Sequence, residues 1–82
     1  MIKAYIDVTL KKSILDPQGT AVKKGLEKLG LYAEDVRIGK HIEVVLREDK
    51  IEAAREKIEE MCRRLLVNFE VETYSVRFEV IE

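Results

Sequence analysis

Ile2-Lys3-Ala4-Tyr5-Ile6-Asp7-Val8-Thr9-Leu10 is the stretch whose reading decides the fold. Ile2, Ala4, Ile6, Val8 and Leu10 share one face, and Lys3, Tyr5, Asp7 and Thr9 the other. A period of two rich in β-branched residues predicts a half-buried strand, which needs a second layer over its apolar side.

The residues after this strand supply that layer. Asp16 suits a helix N-cap, and Pro17 suits the first helical position, where its missing N–H is not needed. Ala21, Val22, Gly25, Leu26 and Leu29 then recur at helical spacing, and Gly30 suits the left-handed position that ends a helix. The first helix is predicted over residues 17–29.

Val36, Ile38, Ile42, Val44 and Leu46 alternate with Arg37, Gly39, His41, Glu43 and Arg47. The phase predicts one long strand, with a bulge, bend or close backbone approach at Gly39. A tight hairpin at Gly39-Lys40 is the alternative. Asp49 can cap a second helix whose apolar stripe is Ile51, Ala54, Ile58, Met61, Leu65 and Leu66. From Tyr74 onward, Val76, Phe78 and Val80 continue a third strand. The order strand, helix, strand, helix, strand predicts a two-layer α+β sandwich. Its two helices lie on one face of a small, mainly antiparallel sheet. No linker divides residues 1–82, so they form one domain.

Size predicts self-association. For a chain of this length, scaling gives a folded surface of about 5,000 Å² against roughly 13,800 Å² unfolded, a marginal burial. Small domains compensate with disulfides, metals or oligomers. One cysteine excludes an internal disulfide, and one histidine with one cysteine makes a poor zinc site. Three strands also leave two open edges, which invite pairing with another chain and extension of the sheet by oligomerisation.

Charge excludes other classes. The 15 basic and 16 acidic residues give a net charge of −1, so no strong field attracts a polyanion. No apolar run is long enough to cross a bilayer. Met1 leads straight into the strand pattern, so a signal peptide is not expected and the cytoplasm is the expected location. The 38% of charged residues, with one Asn and one Gln, follow a bias common in thermophile proteins.

Residues able to do chemistry are few. Cys62 sits beside Met61 in the helical stripe and reads as a small core hydrophobe. His41 falls on the outer strand face, with no nucleophile paired to it. The charges of the second helix form a solvated face. Gly19, Gly25, Gly30 and Gly39 have the wrong spacing for a phosphate loop. The residues themselves describe a binding or assembly module with no active site, cofactor or metal of its own.

Three segments add a resemblance. VTLKKSILDPQGTAV (Val8 to Val22), VRIGKHIEV (Val36 to Val44) and MCRRLLVN (Met61 to Asn68) are similar to the PurS family, the small non-catalytic subunit of bacterial and archaeal phosphoribosylformylglycinamidine (FGAM) synthase. With length and element order they cover nearly the whole chain. Phe69 and Glu70 depart from the family, which usually continues after Asn68 with proline and aliphatic residues.

The resemblance implies a role in de novo purine biosynthesis. The synthase converts formylglycinamide ribonucleotide to the amidine, using ATP, Mg²⁺ and ammonia derived from glutamine. It implies two partners, a large synthetase subunit that holds the ATP and substrate sites and a glutaminase subunit. The small subunit joins them and helps keep the ammonia path closed, as a homodimer or dimer of dimers. Asp16, Pro17, Gln18, Gly19, Arg37, Gly39 and Lys40 are the expected partner contacts. Gly19 is costly so early in a helix unless another backbone comes close.

Two rival classes stand beside this one. Small α+β domains also sense ligands such as amino acids between paired subunits. An RNA-binding sheet would need exposed aromatics and a basic face, which five aromatic residues and the net charge of −1 do not favour.

Overall fold

The computed structural model describes all residues, 1–82. Three strands and two helices follow in the expected order: β1 (Ile2–Leu10), α1 (Pro17–Lys28), β2 (Lys40–Leu46), α2 (Ile51–Met61, continued by a π-helical turn Cys62–Leu66) and β3 (Glu72–Val80). The sheet order is β2-β1-β3, with both pairings antiparallel. The most apolar strand therefore takes the centre.

Register explains the alternation. Ile2 lies between Leu46 and Val80, Ala4 between Val44 and Phe78, and Ile6 between Ile42 and Val76. These rows form the apolar face. Ile2, Ala4, Ile6 and Val8 join Leu46, Ala54, Ile58, Cys62 and Val67 in a buried core. Burying each of the larger side chains contributes about 1.5–3 kcal/mol. Ala54 and Ile58 lay α2 across β1, the alanine letting the helix approach closely. No residue of α1 belongs to the core or packs against it.

α1 begins where the sequence predicts and ends at Lys28, one residue sooner, with Leu29 as its C-cap. Asp16 is its N-cap, Pro17 its first residue, and Gly30 has φ +78° beyond its end. Three local expectations are corrected. β2 starts at Lys40, so residues 36–39 are not strand and the long-strand reading fails; no hairpin forms at Gly39-Lys40 either. The Ile38 N–H donates to Asp16 and not to a strand, which draws the chain off the sheet. Asp49 does not cap α2. Lys50 holds that position without a side-chain bond, its carbonyl accepting from the Ala54 N–H. Leu65 leaves the predicted stripe and is 84% exposed. The π turn, closed by the Val67 N–H on the Cys62 carbonyl, inserts an extra residue and turns Leu66 and Val67 inward in its place.

The departure at Phe69-Glu70 forms an ordinary turn. Asn68 Oδ1 accepts from the Glu70 N–H, and the Asn68 N–H donates to Glu72. Phe69 packs edge-on against Tyr74, with ring centroids 5.8 Å apart.

Candidate partner-contact site

The predicted contact residues meet where β1 ends, α1 starts and residues 36–40 return to the sheet. Asp16 anchors the junction and is only 4% exposed. Its Oδ1 accepts from the Gly19 N–H and its Oδ2 from the Ile38 N–H, both at 2.9 Å. One carboxylate thus caps α1 and pins a distant loop to it. The bonds from Gly19 and then Ile38 hold its pKa below the usual aspartate value, burial opposing them.

Arg37 completes the lock. Its two terminal nitrogens donate to the Ile14 carbonyl at 3.2 Å and the Lys11 carbonyl at 2.8 Å. The planar guanidinium spans both acceptors, a geometry lysine cannot copy. The two glycines are explained by close backbone approach. A Cβ on Gly19 would collide with the Val36 carbonyl oxygen, and one on Gly39 with the Val8 carbonyl. The neighbouring backbone inferred for Gly19 is thus within the same chain.

Pro17, Gln18 and Lys40 remain on the outside. Together with Asp16, Gly39, Ile38 and the end of β1 they line a cleft of about 370 Å³. Gly19 and Arg37 face a second hollow of about 500 Å³ on the other side of Asp16. The set therefore divides into a structural frame, of which Asp16 and Gly19 are buried, and an exposed rim. The rim offers an amide and an ammonium group, suited to hydrogen bonding and without a nucleophile.

Glu72 was not anticipated from sequence. It pairs with Lys40 at 3.5 Å across the end of β1. The signal existed: Lys40 and Glu72 both fall in the apolar phase of their strands, where a lone charge needs a partner.

The other candidates are structural. Cys62 is fully buried, and burial raises its thiol pKa. His41 lies on the outer face as predicted. Its Nδ1 is 2.7 Å from Asp7 and its Nε2 2.8 Å from Glu43. Ionised carboxylates only accept, so this geometry suits a ring that carries a proton on both nitrogens. The bond to Asp7 and then that to Glu43 raise its pKa. Lys3 also reaches Glu43 at 2.8 Å, and Tyr5 donates to Glu79 at 2.8 Å beneath the Arg77 guanidinium. No cluster of three or more potential metal ligands stands together. No helix is long and apolar enough to cross a membrane.

Fold and junction define a small α+β domain, and comparison with known proteins gives its class: the family described as PurS, phosphoribosylformylglycinamidine (FGAM) synthase, matches residues 3–80. The Synechocystis FGAM synthase subunit PurS is 42% identical over 78 residues, 94% of this chain and 78% of its own. The crystal structure of Methanocaldococcus jannaschii PurS superposes with a TM-score of 0.89 at 35% identity, covering 100% of both chains. A chain of the Thermotoga maritima PurLQS structure gives 0.88 at 35% identity, covering 95% of this chain and 96% of that one. The chain belongs to the PurS family, a subunit of FGAM synthase.

Proposed function

We propose that this chain is the non-catalytic assembly subunit of a cytoplasmic FGAM synthase in purine biosynthesis, joining the synthetase and glutaminase subunits so that ammonia passes between them out of contact with water. The observation that carries the reading is the junction itself. Asp16, Gly19, Arg37 and Gly39 spend their chemistry on fixing backbone, and so hold Pro17, Gln18 and Lys40 at a preformed rim. A rigid surface loses little freedom on docking, which suits an adaptor. In this reading ATP and Mg²⁺ belong to the synthetase subunit, and the chain works as a homodimer or dimer of dimers.

The test is assembly. With this chain present, synthetase and glutaminase subunits of the same source should co-migrate in size-exclusion chromatography under turnover conditions. Without it they should separate. Gln18→Ala with Lys40→Ala should weaken the three-way complex and leave the circular dichroism of this chain unchanged. Full assembly in its absence contradicts the proposal.

A further inference from the structure

The junction at Asp16 leaves a gap inside the sheet. β1 runs to Leu10 beside β3, where Leu10 faces Glu72, but its pairing with β2 stops at Val8 and Lys40. Had β2 continued, Ile38 would lie opposite Leu10. Instead the Ile38 N–H donates to Asp16. The chain leaves β1 at Gly39, which passes the Val8 carbonyl at a distance that no Cβ would allow.

The peptide groups of Leu10 have no partner at this gap. In an antiparallel sheet, alternate residues of a central strand turn their N–H and C=O to opposite neighbours. The Lys11 N–H donates to the Val71 carbonyl and the Ile81 N–H to the Met1 carbonyl, so odd-numbered residues of β1 face β3. Even-numbered residues face β2, and Leu10, the last of them, faces the gap. Neighbouring bonds pass it by. Arg37 reaches the Lys11 and Ile14 carbonyls, and the Ile14 N–H reaches the Lys11 carbonyl.

An unpaired length of strand is a template for another extended chain. This one opens into the cleft of about 370 Å³ that Leu10 and Ile38 wall and Pro17, Gln18 and Lys40 rim. A strand such as β3, with nine residues and about 30 Å of length, is too long for that space, whereas a few extended residues fit. The charges of the cleft are already matched. Lys40 pairs with Glu72 at 3.5 Å, and Asp16 bonds two backbone amides. A charged occupant would lose water and find no free counter-charge. The Gln18 amide both donates and accepts, as a peptide group requires.

We infer that the gap is a strand-addition site: a short, extended, uncharged segment of a partner subunit enters between Leu10 and Ile38. Its carbonyl accepts from the Leu10 N–H, its N–H donates to the Leu10 carbonyl, and Gln18 holds an adjoining peptide group. The inference rests on the proposed adaptor role and names the kind of segment that the rim receives.

Amide hydrogen exchange tests it. An isotope-labelled chain is exchanged alone and within its complex with the synthetase and glutaminase subunits, then quenched and read by NMR. Alone, the Leu10 amide should exchange fast beside a protected Val8. In the complex it should slow by about a hundredfold or more. A Leu10 amide as fast in the complex as in the free chain overturns the site. So does one already slow in the chain alone, which assigns the gap to the chain itself or to a second copy. Leu10→Pro removes the N–H and no strand pairing, so circular dichroism should hold while affinity for the partner subunits falls about tenfold. Leu10→Ala keeps the N–H and should lose less; equal losses in the two also overturn the site. Subunits that fail to co-migrate with the wild-type chain overturn the adaptor role itself, and the site with it.

Discussion

Asp16 and Ile38 are joined by a 2.9 Å hydrogen bond from the Ile38 N–H to the carboxylate that caps α1. One side chain thereby serves both a helix start and the return of the chain to the sheet. The two most recognisable segments of the sequence are two halves of one latch.

Replacing Asp16 should open it. Asp16→Asn keeps one accepting oxygen and sets an amide N–H₂ against a second donor, so thermal stability should fall; Asp16→Ala should fall further. The folded pKa lies below the ordinary 3.8. The carboxylate therefore stabilises above that value, and its contribution is lost as pH falls through the lower folded value. Melting curves between pH 2 and 7 should show an acid-side loss in the wild type that is smaller in Asp16→Asn.

Gly19→Ala and Gly39→Ala should each destabilise by about 1–3 kcal/mol, because the backbone must shift to admit a methyl group. The colliding atoms are carbonyl oxygens of Val36 and Val8, which cannot rotate away as a side-chain end would. Urea unfolding measures the loss. Full stability in both variants would mean that these backbones stand farther apart in solution.

The proton on His41 gives a titration with the opposite sign. Asp7 and Glu43 raise its pKa above the ordinary 6.5. The imidazolium therefore stabilises the pairing of β1 with β2 below that value, and the contribution fades as pH rises through the folded pKa. An NMR titration of the single histidine should give a midpoint above 6.5. Asp7→Asn and Glu43→Gln should each move it back down.

Much of this was legible in the residues. The alternation of Ile2 to Leu10 gave the central strand, and Asp16-Pro17 with Gly30 bounded α1 because caps and turns depend on local backbone chemistry. The failures share a cause. Residues 36–39 alternate like a strand, yet Asp16, a residue distant in sequence, takes the Ile38 N–H that a strand would have used. Leu65 carries the right spacing for a regular helix, and the π turn shifted the phase. Asp49 has the right chemistry for a cap one residue too early. The predicted contact residues were brought together, but their division into frame and rim depended on which backbone groups came within reach.

The central claim is that this chain couples ammonia release to its use. The most direct measurement is FGAM formation by the synthetase and glutaminase subunits, with and without this chain, driven by glutamine or by free ammonia. Glutamine-driven formation should depend on the chain, and on Gln18 and Lys40 within it, whereas free ammonia should partly bypass the need. Glutamine-driven turnover that is unchanged when the chain is left out would contradict the account.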